Sequence, residues 1–120
     1  MVSRLSYTLD CRDGEKLAAF WTQVLGYACR GRAGQFWPLV PPDSRDEPWF
    51  VLQQVDEPKS GKNRMHVDVH AEGDLEDEVR RVEALGARRI SDDAVVQGDY
   101  SWVVMADPEG NEFCLVRQPG

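Results

Sequence analysis

The run Arg4-Leu5-Ser6-Tyr7-Thr8-Leu9-Asp10 leads into a helical periodicity that stops at Leu25-Gly26. Sixty residues later the run Arg64-Met65-His66-Val67-Asp68-Val69-His70 leads into another that stops at Leu85-Gly86. Few residues are identical. The order of apolar positions and breakers is what repeats. A chain of 120 residues that carries one strand–helix unit twice is confined to a pseudo-symmetric fold, and a functional site is expected where the copies meet.

Within the first copy, Leu5, Tyr7, Leu9 and Cys11 alternate with Ser6, Thr8 and Asp10, the period-two signature of a strand with two different environments. Asp13 is a good N-cap for a helix whose apolar face is Leu17, Phe20, Trp21, Val24 and Leu25, and Gly26 stops it. Short strands are expected over 27–31 and 35–40. Residues 41–48, rich in Pro and acids, read as a loop, followed by a strand over 49–55. The segment 57–62 links the halves. In the second copy, 63–71 reads as a strand, and Asp74 caps a helix with Leu75, Val79, Val82 and Leu85 on one face, ended by Gly86. Residues 87–90 form a short strand, 91–99 a polar loop and 101–106 a strand. Asp107-Pro108-Glu109-Gly110 is a tight turn with proline second and glycine fourth. The last strand covers 111–117. The sum is βαβββ twice, roughly 3–55 and 63–117, an α+β arrangement within a single domain spanning 1–120. Leu5, Leu9, Phe20, Val24, Met65, Val67, Val69, Val79, Val82, Phe113 and Leu115 are the expected core.

Composition narrows the partners. A formal charge of -7 disfavours nucleic acid, whose phosphates call for a basic surface. The N-terminus lacks the apolar run of a secretory leader, and no stretch reaches the ~18 apolar residues of a membrane span. Three cysteines, Cys11, Cys29 and Cys114, show no metal-knuckle spacing and read as free thiols in a reducing cytoplasm.

Three segments carry a family resemblance: Asp13 with Phe20-Trp21 and Val24-Leu25-Gly26; Asn63-Arg64-Met65-His66-Val67-Asp68 leading to Ala84-Leu85-Gly86-Ala87; and Trp102 through Leu115, including Asp107-Pro108-Glu109-Gly110-Asn111-Glu112-Phe113. Together they resemble the vicinal oxygen chelate superfamily, which includes glyoxalase I, fosfomycin- and bleomycin-resistance proteins and extradiol dioxygenases. The likeness is greatest to its short glyoxalase-like branch. It implies two βαβββ modules around a shared cleft, a homodimer, and up to four metal-ligand positions. Those positions fall at Ser6, at Gln53 (Gln54 if the register slips), at His66 and at Cys114. Only His66 matches the usual His/Glu/Gln set cleanly. Serine is a poor ligand for a divalent metal, and glutamine binds weakly.

Strand parity points to the same surface. His66, Asp68 and His70 share one face, while Met65, Val67 and Val69 share the other. The apolar set must meet the helices, so the polar set turns to the concave side. Ser6, Thr8 and Asp10 match it in the first copy, and Trp49, Gln53, Glu112 and Cys114 join from the remaining strands. A flat indole at Trp49 suits a planar ligand. Successive same-face positions on a strand lie ~7 Å apart, so His66 and His70 cannot share one metal without bending. Cys114 is either a thiolate ligand or nucleophile or, as the commoner case, a buried, inert thiol. Glu112 is either a rescuing ligand or a charged residue at a strand entrance paired with an arginine. The expected function is small-molecule binding in a polar, aromatic-walled cleft with a degenerate metal site, with no tightly bound cofactor and at most a weak divalent metal at His66. The alternative is a divalent-metal-dependent lyase or isomerase of the glyoxalase type, in which a metal stabilises an enediolate-like anion.

Overall fold

The computed structural model of the chain describes residues 6–63 and 65–117. The chain divides into two compact units, Met1–Lys59 and Ser60–Gly120, and the division falls in the linker 57–62. Among the described residues no helix is long and apolar enough to cross a membrane.

The first unit runs β1 (Ser6–Cys11), α1 (Gly14–Leu25), β2 (Ala28–Cys29), β3 (Phe36–Val40) and β4 (Trp49–Gln54). Its sheet has the order β1-β4-β3-β2, with β1 and β4 parallel and the other pairs antiparallel. Helix α1 begins where the sequence says it must. Asp13 is extended, and its carboxylate accepts from the Lys16 amide at 3.1 Å, satisfying one of the orphan donors of the first turn. Gly26 closes the helix at φ 69°, a left-handed conformation that costs a glycine little. Leu17, Ala18, Phe20, Trp21 and Val24 are buried against the sheet. The Trp21 ring stacks on Phe50 at 5.0 Å and meets Phe20 edge-on at 5.2 Å. The loop 41–48 is tied back to this helix. Arg45 donates to the Leu25 carbonyl at 2.6 Å and pairs with Glu47 at 3.1 Å, while the Tyr27 hydroxyl donates to the Pro48 carbonyl at 2.8 Å and to Glu47 at 3.1 Å.

The second unit runs β5 (Val67–His70), α2 (Leu75–Ala84), β6 (Arg88–Arg89), β7 (Val95–Gln97), β8 (Tyr100–Ala106) and β9 (Glu112–Arg117). The sheet order β5-β9-β8-β6, with β5 and β9 parallel, repeats the order of the first unit strand for strand. Strand β7 is an addition on β8. Asp74 caps α2 through the Asp77 amide at 3.1 Å, and Leu75, Val79 and Val82 are buried. The turn before β9 is locked from inside. Asp107 and Asn111 are both buried, and the Asp107 carboxylate accepts from the Glu109 and Asn111 amides, each at 2.9 Å, and from the Asn111 side-chain amide. Every oxygen of that buried carboxylate is therefore hydrogen-bonded, as burial of a charge demands. Two βαβββ modules are thus present, the second with an extra strand.

Three expectations need correction. The strand expected over 63–71 is confined to β5, and Met65 is 70% exposed rather than core. The cause is the partner. The β5–β9 ladder ends at the pair Val67–Phe113, because β9 itself starts only at Glu112, after the Asp107–Asn111 turn. The polar loop expected over 91–99 contains β7, which pairs with the start of β8 across Gly98-Asp99. Leu9 and Val67 are half-buried, whereas Phe20, Val24, Val69, Val79, Val82, Phe113 and Leu115 are buried. Leu5 lies outside the described residues.

Candidate functional site

In the first unit the register sorts the outward face into rows. Ser6 stands opposite Trp49, Thr8 opposite Val51, and Asp10 opposite Gln53. Pro38 then lies opposite Val51, and Phe36 opposite Gln53. The intervening residues Leu39, Phe50 and Leu52 are buried on the helix side. The structure therefore brings Ser6, Thr8, Asp10, Trp49 and Gln53 onto one face, with Phe36, Pro38 and Val51 among them. Ser6, Thr8, Asp10 and Trp49 are exposed and Gln53 is half-buried. Gln54 points the other way: its side-chain carbonyl accepts from the Gly14 amide at 3.1 Å and so helps to start α1.

In the second unit Asp68 stands opposite Cys114 and His70 opposite Val116. Across the next ladder Cys114 is opposite Val104, and Glu112 opposite Ala106. Asp68, His70, Glu112 and Cys114 accordingly share the face away from Phe113 and Leu115, which are buried beneath α2. His66 sits one residue ahead of β5, exposed, with its Nε2 at 3.1 Å from the Asn63 carbonyl. A carbonyl can only accept, so Nε2 carries the proton and Nδ1 is the atom left for a ligand.

The donor chemistry of this second set is already engaged. The Glu112 carboxylate is 2.6 Å from the Lys62 ammonium, a partner that sits in the linker, where strand parity says nothing. Burial pushes the Cys114 thiol up from its ordinary range, and the carboxylates of Asp68 and Glu112 push it further, against a smaller opposing effect of Lys62. The shift disfavours the thiolate, the form that acts as a nucleophile. Among the described residues no three His, Cys, Asp or Glu side chains are grouped so as to hold a metal ion. A serine hydroxyl, a glutamine amide, a thiol and one imidazole do not fit a tightly held divalent ion.

Strand parity also passes over Arg30, whose guanidinium lies 5.4 Å from the centroid of the Trp49 ring. Arg30 lies inside the short strand expected over 27–31, which the structure ends at Cys29.

Two units of this topology define the glyoxalase/bleomycin-resistance/dioxygenase fold of the vicinal oxygen chelate class. More narrowly, the chain belongs to the glyoxalase-like domain family, whose model matches residues 6–116. It is similar to a glyoxalase/bleomycin resistance protein/dioxygenase family enzyme from Burkholderia phytofirmans, with 21% identity, a TM-score of 0.78, and 98% of this chain and 100% of that one covered. It is also similar to the fosfomycin resistance protein FosX from Listeria monocytogenes in complex with Mn(II) and sulfate, with 19% identity, a TM-score of 0.77, and 99% and 93% covered. A glyoxalase family protein from Bacillus cereus gives 16% identity, a TM-score of 0.77, and 100% and 97% covered. At such identities the likeness speaks for the fold. Among curated proteins no match is found.

Proposed function

We propose that this protein binds a small organic molecule without a tightly held metal, with Ser6, Thr8, Asp10, Trp49 and Gln53 as the candidate ligand face of the first unit and His66, Asp68, His70, Glu112 and Cys114 as that of the second. The observation that carries the reading is the outward face of the first sheet. An exposed indole stands there in a field of hydroxyl, carboxylate and amide groups, where a sheet face with no ligand needs only solvated polar residues. The metal-poor part of the reading is supported by the pairing of Glu112 with Lys62 in the second unit and by the weak ligand chemistry of serine and glutamine at two of the four positions.

A second reading is a divalent-metal-dependent lyase or isomerase. It is favoured by the Mn(II) complex of the FosX relative and by the ring nitrogen that His66 leaves open. One experiment separates the two. Protein purified without a histidine tag is analysed for metal, and native mass spectrometry looks for a retained organic molecule. Retained organic mass with metal far below one equivalent is expected. Stoichiometric metal that is lost in His66→Ala overturns the metal-poor reading in favour of the enzyme.

A further inference from the structure

We infer that Arg30 and Trp49, with Pro38 and Val51 as a floor, form a binding site for a planar aromatic carboxylate on the outward face of the first sheet. The inference rests on the small-molecule reading of that face and adds the chemical class of the ligand.

The register places the parts. The β2–β3 ladder pairs Ala28 with Val40 and Cys29 with Leu39, and it continues one step further, because the Arg30 amide donates to the Pro38 carbonyl at 2.9 Å. Arg30 therefore heads a row that runs Arg30, Pro38, Val51, Thr8 across the four strands. Since Leu39 and Phe50 point to the helix, this row points outward. Trp49 and Phe36, 43% and 40% exposed, flank the row on either side. Strands lie ~4.8 Å apart and same-face neighbours ~7 Å. A fused aromatic ring resting on Pro38 and Val51 thus spans the gap between the two exposed rings and brings a substituent within reach of Arg30.

Charge gives the ligand its sign. The chain has 21 acidic and 14 basic residues, and Arg45, Arg80, Arg81 and Arg89 each have a carboxylate partner. Arg30, by contrast, has no acidic partner among the described residues; its side chain is held over the Trp49 ring instead. A guanidinium stacked on an indole is oriented but not neutralised, and its N–H edges stay available for two parallel hydrogen bonds to a carboxylate. The acid on this face, Asp10, is on β1, at the opposite edge of the sheet from β2. An anion is therefore drawn to the Arg30 end and repelled from the other, which fixes the direction in which the ligand lies.

The test uses three probes: 2-naphthoate, its neutral isostere 2-naphthamide, and acetate. Binding is followed by isothermal titration and by shifts of the indole N–H signals in NMR spectra. The expected result is naphthoate at least about tenfold tighter than naphthamide, with acetate not binding measurably. Arg30→Gln should bring the acid-to-amide ratio to about one, with the larger loss of affinity falling on naphthoate. Trp49→Leu should weaken both ring probes, and Arg88→Gln, on the other unit, should change neither. Equal affinity of acid and amide for the wild-type protein, or an unchanged ratio in Arg30→Gln, overturns the assignment of Arg30 while leaving the small-molecule reading in place. Failure of every ring probe, together with no retained organic molecule in native mass spectra, overturns both.

Discussion

Gly14→Ala is the sharpest test of how the first unit is built. Gly14 opens α1, and the Trp37 indole from β3 lies directly on its backbone. A Cβ at position 14 would stand 2.0 Å from the indole Nε1 and 2.4 Å from Cδ1. Ordinary carbon contacts are about 3.5 Å, so the ring must retreat by roughly 1.5 Å. The ring is rigid, its Nε1 is buried with no hydrogen-bond partner among the described residues, and β3 holds its backbone. Overpacking of this kind costs about 1–3 kcal/mol. Replacing glycine by alanine in a helix returns at most about 1 kcal/mol, and less at the first helical position. The net expectation is a loss of about 1–2 kcal/mol, read as a lower urea midpoint at unchanged m-value. In a Trp37→Leu background the same substitution should become neutral or slightly stabilising, because the obstacle is gone. A Gly14→Ala protein as stable as wild type, or a penalty that persists without the indole, would refute the packing argument.

Three further outcomes follow from the same structure. Phe20→Ala removes a buried ring that meets Trp21 edge-on and should cost about 3–5 kcal/mol in denaturant melts; a loss under about 1 kcal/mol would show that Phe20 is not core. Tyr27, pushed up to about 12 by burial and by its bond to Glu47, keeps its proton in the fold after an unfolded tyrosine has lost it. Its contribution is therefore complete below the ordinary tyrosine range and is lost as pH rises toward 12; absorbance at 295 nm should show a late-titrating tyrosine that vanishes in Tyr27→Phe. Cys114, with its pKa raised, should label slowly with a thiol reagent at neutral pH, after the exposed Cys29. Asp68→Asn removes one of the charges that raise it and should speed labelling a few-fold, whereas faster labelling of Cys114 than of Cys29 in the wild-type protein would contradict the shift.

What the sequence disclosed and what it hid follow a physical line. Helix ends were legible because their causes are local. Asp13 and Asp74 cap amides three residues on, and Gly26 supplies the left-handed closure. Strand faces were legible wherever a period-two run has a firm partner, as in β1, β4 and β9. The extent of a strand was not legible, because it depends on where a distant neighbour begins. Met65 alternates correctly for a core position, yet the ladder that would bury it stops at Val67. Strand β7 is three residues inside a polar stretch, too short for any period to register, and Val96 remains 71% exposed there.

The same division governs the site. Parity alone places Ser6, Thr8, Asp10, Trp49 and Gln53 on one face and Asp68, His70, Glu112 and Cys114 on another, but parity cannot say what each group is doing. That depends on partners contributed from outside the strands: Lys62 from the linker for Glu112, the Asn63 carbonyl for His66, and Arg30, one residue past β2, for Trp49. Each of these contacts changes the chemistry of the residue it touches. The lysine removes a free carboxylate, the carbonyl fixes which imidazole nitrogen is open, and the guanidinium turns an exposed indole into a cationic platform. Lys62 thereby occupies the Glu112 carboxylate and the Asn63 carbonyl occupies one nitrogen of His66, while Arg30 on the first sheet has no acidic partner among the described residues. The charge on that face is the ground on which the proposal of an anionic, planar ligand stands.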